Sequence, residues 1–256
     1  MKKKNTIWIY LLMIIGTFLL ATNSCKKDNT TNNNNSNTVK DLDGNVYHTI
    51  TIGTQTWMVE NLKTTKFSDS TVIPHVTSMT DWAALRTPGF CTYNNTTNAD
   101  TINTYGRLYN WYTVNTGKLC PTGWHVPTDA EWTTLENYLI ANGYNYDGST
   151  AGNMYAKALA SATGWSLSTI AGAVGNTDFS AKRNASGFTA VAGGYRYYSE
   201  SIYGNNPNMG KNGYWWTSSE FSTAYAFYRS MYFDSDSVEN GNYNKRFGLS
   251  VRCLKD

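Results

Sequence analysis

Alternation of apolar and polar positions frames both ends of the folded region. Val46, His48, Ile50 and Ile52 alternate with Tyr47, Thr49 and Thr51, which predicts a strand with one apolar-leaning face. Asp43-Gly44 ahead of it is a hairpin-turn dipeptide, and Gly53-Thr54 after it turns the chain into QTWMVENL. Near the other end, Phe247, Leu249, Val251 and Cys253 alternate with Arg246, Gly248, Ser250 and Arg252, which predicts a half-buried strand. Residues 224–233 predict another, with aromatics on both faces. Helical spacing is rarer. The clearest helix follows Pro127. Thr128 and Glu131 form a capping box, in which the hydroxyl takes a backbone N–H and the carboxylate returns to the cap residue's own N–H. Trp132, Leu135 and Leu139 then share one face, and Gly143 is a natural stop. Shorter helices are predicted at 79–85, 107–113 and 154–160. The pattern is that of an α+β domain with mostly antiparallel strands, a few short helices and long irregular loops.

The first residues obey a different pattern. Lys2, Lys3 and Lys4 precede an apolar run from Ile7 to Leu20, 14 residues long. At 1.5 Å per residue that is too short for a hydrocarbon core of ~30 Å, and a basic flank before a short apolar segment marks a secretory signal. Ala21, Thr22, Asn23 and Ser24 lead to Cys25. This resembles a lipobox, the bacterial motif whose cysteine receives a diacylglyceryl group before cleavage. Thr22 stands where Leu is usual. Residues 1–24 are therefore expected to be a lipoprotein signal peptide and Cys25 the lipid attachment site. An ordinary signal peptide or an uncleaved anchor is the alternative. Residues 26–38, KKDNTTNNNNSNT, hold no apolar side chain, so 25–38 is expected to be a disordered polar tether spanning roughly 20 Å.

Removing the signal alters the charge. The chain has 21 Lys and Arg against 18 Asp and Glu, and the signal takes three lysines with it. The remainder is balanced, which gives no attraction to nucleic acid or to an acidic membrane. From 39 to 256 no second linker or repeat appears, so a single domain is expected, rich in Tyr, Trp, Gly, Asn, Ser and Thr.

With Cys25 assigned to lipid, Cys91, Cys120 and Cys253 remain, and an oxidising envelope favours a pair among them. Joining Cys120 to Cys253 would fasten the last strand to the start of the main helix. Cys91 is then a buried free thiol. A zinc site is the sharper alternative, but no C-x-x-C occurs and the three His are scattered.

ITIGTQTWMVENL, YGRLYNWYTV, CPTGWHVPTDAEWTTL, GGYR, GYWWTSSE, AYAFYRSMYF and FGLSVRC follow one another along the chain. Together they resemble the FISUMP domain, a bacterial surface-protein family, over essentially all of 39–256. VPTDAEW is also similar to LPTEAEW of formylglycine-generating enzymes. The resemblance implies a C-type-lectin-like fold, in which the N- and C-terminal strands pair and a long loop region projects from a second small sheet. Members often carry a second cysteine about eight residues after the position of Cys91. TYNNTTNADT has none, which leaves Cys91 unpaired.

Candidate chemistry is sparse. G-x-S-x-G and H-E-x-x-H are absent, and His125 in the capped turn reads as a structural histidine, so no catalytic residue is assigned and the protein is expected not to be an enzyme. Neither Cys120 nor Cys253 has a basic neighbour in sequence that would activate it. Asn206-Pro207-Asn208 lacks the carboxylate of lectin calcium loops, and Asp234, Asp236 and Glu239 read as a solvated hairpin tip, so neither metal nor cofactor is expected. Aromatics are dense from Tyr195 to Phe233 around a Gly/Asn-rich loop. Tyr197, Tyr198, Tyr203, Asn206, Asn208 and Trp216 are the candidate ligand contacts, with rings for sugar C–H faces and amides for hydroxyls. Because Trp215 and Trp216 are adjacent, one of them is expected to face outward. The expected function is a lipid-anchored, non-catalytic envelope module, at the outer membrane, that recognises a polysaccharide or other glycan. The alternative is a protein-interaction or structural module using the same loop. Membrane attachment is through the lipid, and no nucleic-acid partner is expected.

Overall fold

Gly53 and Thr54 close a two-residue hairpin, because Ile52 pairs directly with Gln55 across it. Gly53 has φ +63, and the Tyr138 ring packs so closely on it that a Cβ there would lie 2.7 Å from the ring. The two strands so joined belong to the larger of the molecule's sheets. The computed structural model describes residues 37–198 and 208–256. In chain order the strands are β1 (Thr38–Lys40), β2 (Val46–Ile52), β3 (Gln55–Met58), β4 (Phe90–Cys91), β5 (Leu108–Tyr109), β6 (Trp124–His125), β7 (Asn212–Glu220), β8 (Tyr225–Tyr232), β9 (Val238–Asn244) and β10 (Leu254–Lys255). The helices are α1 (Met79–Ala84), α2 (Ala99–Tyr105), α3 (Trp111–Val114), α4 (Asp129–Ala141) and α5 (Ala156–Leu159). The sheet orders are β1-β2-β3-β10-β6, β4-β5 and β7-β8-β9, and all these pairings are antiparallel. The protein is thus a mixed α+β structure of mostly antiparallel sheets with a few short helices.

Local signals account for several elements. In the β1–β2 turn Gly44 takes φ +81, and the buried Asp41 carboxylate accepts from the backbone N–H groups of Asp43 and Asn45, from the Asn45 amide and from the Tyr47 hydroxyl at 2.6 Å. In α4 the Thr128–Glu131 capping box is formed, and Trp132, Leu135 and Leu139 are its buried residues. Asn142 caps its end and Gly143 follows with φ +69. An N-cap such as Thr128 stabilises its helix by about 0.5–2 kcal/mol.

Other expectations are corrected. Residues 107–113 are not one helix. Gly106 ends α2 with φ +74, Leu108 and Tyr109 pair with Phe90 and Cys91, and Asn110 then caps α3 with its side chain. The helix expected at 154–160 is reduced to the single turn of α5, and α2, capped by Asn98, gave no apolar period to find. In β2 the outward and inward sides are exchanged at the start. Val46 and His48 are exposed and Tyr47 is fully buried, whereas Ile52 is buried at the far end. The two ends of the strand serve different cores, Tyr47 one and Ile52 the other. The terminal segment is not half-buried. Phe247, Leu249, Val251 and Cys253 are buried, but so are Gly248, Ser250 and Arg252. Single bridges join Gly248 to Arg196, Leu249 to Tyr109 and Ser250 to Trp215 before β10 begins. The Arg252 guanidinium sits inside the protein because Asn61 Oδ1 and the carbonyls of Phe188 and Thr189 receive its N–H groups.

β7 lies between the two main cores. Tyr214 and Trp216 face one, and Trp215 faces the other with Trp57, Trp132 and Phe188. Arg229 of β8, buried, donates to Glu136 at 2.6 Å and to Asp129, fixing α4 against the Trp215 side of the sheet. The expected disulfide is present, Cys120–Cys253, with Cα atoms 6.0 Å apart. Cys91 is a free, buried thiol.

Candidate functional site

Period-two alternation gathers tyrosines on one face of the β7-β8-β9 sheet. The register sets Tyr214 opposite Ser230, Trp216 opposite Tyr228, Tyr228 opposite Gly241 and Ala226 opposite Tyr243. Tyr214, Tyr228, Tyr232 and Tyr243 therefore point the same way. Tyr195, Tyr197 and Tyr198 arrive from the preceding segment and Phe247 from the following one, and all pack against the same core.

The rings hold one another. Tyr243 stacks on Tyr228 with centroids 4.2 Å apart and on Phe247 at 4.3 Å. Tyr195 meets Tyr214 edge-on at 5.1 Å, and Tyr197 meets Phe247 in the same manner at 5.1 Å. Tyr198 lies 4.8 Å from Tyr197, with the Arg246 guanidinium 4.6 Å from the Tyr198 centroid. Aromatic pairs of this kind contribute about 0.5–1.5 kcal/mol beyond the area they bury. Much of the aromatic density thus stabilises the sheet. Tyr195, Tyr197, Tyr198, Tyr232 and Tyr243 are half-buried, so part of each remains at the surface.

Burial, reinforced by neighbouring phenols, raises the pKa of Tyr214 and of Tyr228 far above the usual phenol range, and burial raises that of Tyr232. These hydroxyls are neutral at physiological pH and can both donate and accept. Tyr214 Oη accepts from the Asn212 amide at 3.0 Å. Glu239, opposite Ser230, is the exposed carboxylate of the same face.

The sequence candidates fall into three groups. Tyr197 and Tyr198 are within this cluster. Asn208 has φ 78, and its carbonyl accepts from the N–H groups of Lys211 and Asn212, so it shapes the turn into β7. Trp216 is a correction. It has no exposed surface, and its Nε1 donates to the Tyr109 carbonyl at 2.9 Å. Its neighbour Trp215 is also buried, with Nε1 on Asn61 Oδ1. Neither ring can meet a ligand, because a core covers each side of β7. Tyr203, Asn206 and Cys25 lie outside the described residues. Tyr228, Tyr232, Tyr243 and Phe247 were not among the candidates, although the spacing of Ala226, Tyr228, Ser230 and Tyr232 carried the signal.

His125 is held at both ring nitrogens, Nδ1 by Asp256 at 2.6 Å and Nε2 by Glu131 at 3.0 Å. It borders a cavity of about 200 Å³ shared with Val114, Leu119, Cys120, Val126 and Ser218. Burial opposes its positive form, but the two carboxylates outweigh it and its pKa is raised. Asp234 and Asp236 are in the β8–β9 turn. Among the described residues no three His, Cys, Asp or Glu side chains converge in a way that could hold a metal ion.

No curated protein and no solved structure matches this chain. One family does, and its match runs from within β2 into β10, taking in the disulfide, the capped helix and the tyrosine face alike: over residues 50–255 the chain belongs to the Fibrobacter succinogenes major domain family.

Proposed function

We propose that this protein is a non-catalytic, lipid-anchored module of the cell envelope, tethered to the outer membrane through Cys25, that recognises a polysaccharide or other glycan through the tyrosine face together with Tyr203 and Asn206 of the sequence that follows Tyr198. The half-buried tyrosines carry the reading. Tyr197, Tyr198, Tyr232 and Tyr243 present ring edges and hydroxyls at the surface, Tyr232 within reach of the Glu239 charge. Sugars are bound by such mixtures of apolar surface and hydroxyl-directed hydrogen bonds. Tyrosine supplies them at low entropic cost, having only two side-chain torsions. The basic and apolar pattern of residues 1–24 and the polar composition of 25–38 support a domain held just off a membrane.

A C-type-lectin-like, FISUMP-type assignment belongs to the same proposal. In its favour, β2 and β3 from one end of the domain share a sheet with β10 from the other, while long irregular connections lead to a smaller sheet.

The test is retention of the protein on insoluble polysaccharides and printed glycans, with Tyr198→Ala and Tyr232→Ala variants in parallel. Retention weakened severalfold in the variants, with unchanged melting, is expected. A folded wild-type protein retained on no glycan would refute the proposal.

A further inference from the structure

The opposite face of the β7-β8-β9 sheet is covered unevenly. At Arg229 it is pinned beneath α4 by Asp129 and Glu136. Toward the β7–β8 turn it opens to solvent. Phe221 is 54 % exposed and Tyr225 43 %, and Phe227 is half-buried. The Phe221 and Phe227 rings meet edge to face with centroids 5.2 Å apart. This contact leaves ring surface free, unlike the parallel stack of Tyr228, Tyr243 and Phe247.

Asparagines run alongside. The register sets Asn240 beside Arg229, Asn242 beside Phe227 and Asn244 beside Tyr225, all on this face. Asn244 is engaged, since its Oδ1 accepts from the Arg246 backbone and Nε. Asn240 and Asn242 are exposed, and their side-chain amides have no hydrogen-bond partner among the described residues. The charges of the turn lie on the other side. Glu220 pairs with Lys245 at 2.8 Å, and the Lys245 ammonium stands 4.6 Å from the Trp111 centroid.

We propose that Phe221, Tyr225 and Phe227, with Asn240 and Asn242, form a second binding surface, for a neutral polyhydroxylated chain. The class of ligand rests on the glycan reading above; the position of the surface does not. Each free amide offers a donor and an acceptor together, which suits adjacent hydroxyls. Alternate side chains along a strand repeat at roughly 7 Å, so the two amides form a line beside the rings rather than a pocket. A line of this kind fits an extended polymer. Among the described residues the charges at this face are already paired or engaged, Arg229 with Asp129 and Glu136 beneath α4 and Arg246 on Asn244, and the strand side chains around the rings are uncharged, so the electrostatic complement is an uncharged ligand. The two faces of one sheet would then contact separate stretches of polymer, so that retention gains from avidity.

The experiment compares wild-type protein, Phe221→Ala/Tyr225→Ala, Asn242→Ala and Tyr198→Ala/Tyr232→Ala on immobilised neutral glucans and xylans and on an anionic polyuronate. Thermal melting confirms that each variant is folded. Expected are retention on a neutral polymer in preference to the polyuronate, a loss of tenfold or more for Phe221→Ala/Tyr225→Ala, a severalfold loss for Asn242→Ala, and a separate loss for the tyrosine variant. Hairpin variants that bind like wild type while the tyrosine variant does not would overturn the second surface and leave the glycan reading standing. Absence of wild-type retention on every glycan would overturn both. Loss of a stoichiometric protein partner, with glycan retention intact, would reassign the hairpin face to protein contact and also overturn the proposal.

Discussion

Tyr228 lies across Gly241, its partner on the neighbouring strand: a Cβ added at Gly241 would come within 2.7 Å of the Tyr228 hydroxyl oxygen and 2.8 Å of Cζ. The absence of a side chain at 241 is what lets the ring lie flat against β9 and stack on Tyr243. Gly241→Ala must displace a ring that is itself held in a stack. Overpacking of this kind costs about 1–3 kcal/mol. The expected outcome is a lower urea midpoint together with an altered near-ultraviolet tyrosine signal. A variant with wild-type midpoint and spectrum would show that the stack is not what fixes the face.

Trp216 separates packing from recognition. It fills the core and donates to the Tyr109 carbonyl. Trp216→Ala should cost about 3–5 kcal/mol in stability, as large-to-small core substitutions do. Under conditions where the variant remains folded, glycan retention should match wild type. Selective loss of retention at undiminished stability would return Trp216 to the list of ligand contacts.

The cysteines allow a count. The disulfide links residues 133 positions apart, and removing a bridge of that kind typically costs about 2–5 kcal/mol. Cys120→Ala/Cys253→Ala should lower the unfolding midpoint accordingly. Burial pushes the Cys91 thiol up to about 11, despite the opposing influence of Arg196, so native protein should not react with thiol reagents at neutral pH. Unreduced protein purified from the envelope and then unfolded should yield one titratable thiol, that of Cys91. A second would mean that Cys25 carries no thioether-linked lipid.

His125 makes stability depend on pH. With its folded pKa raised above the ordinary value of about 6.5, the protonated ring stabilises the fold fully below that value. The contribution is lost as pH rises through the raised pKa. The Glu131 pKa is lowered: burial opposes this, but hydrogen bonds from Thr128 and the charge of His125 prevail, so the carboxylate stays ionised in mild acid. The stability deficit of His125→Gln should be largest near about pH 6 and small by about pH 9. Urea midpoints at the two values measure it, and an equal deficit at both would contradict the ion-paired geometry.

What the sequence discloses divides along the range of the interaction. The Thr128–Glu131 box is a contact over three residues, and it is legible from the residue types alone. The same holds for the turns at Asp43-Gly44 and Gly53-Thr54. The placement of Trp215 and Trp216 is not, because alternation says that they point apart but not that a core awaits each of them. The helix expected over 107–113 fails for a similar reason. Leu108 and Tyr109 are claimed by Phe90 and Cys91, a pairing between distant segments that outweighs local helical tendency. In the candidate site, Tyr197 and Tyr198 could be named from local density. The joining of Tyr228, Tyr232, Tyr243 and Phe247 to them required the order β7-β8-β9.

The position of β10 bears on timing. Leu254 pairs with Trp57 on one side and with His125 on the other, so β10 is an interior strand of the five-stranded sheet, far in sequence from β3 and β6. Until it emerges, β3 and β6 have a gap between them, and the half of the disulfide at Cys253 is missing. Contacts so distant in sequence slow folding, since the loop must close before they can form. A ribosome-bound chain would therefore keep this sheet open until residues 253–255 have emerged. The large sheet closes only when β10 slides in between β3 and β6, which keeps the preceding segments threadable until that strand is available.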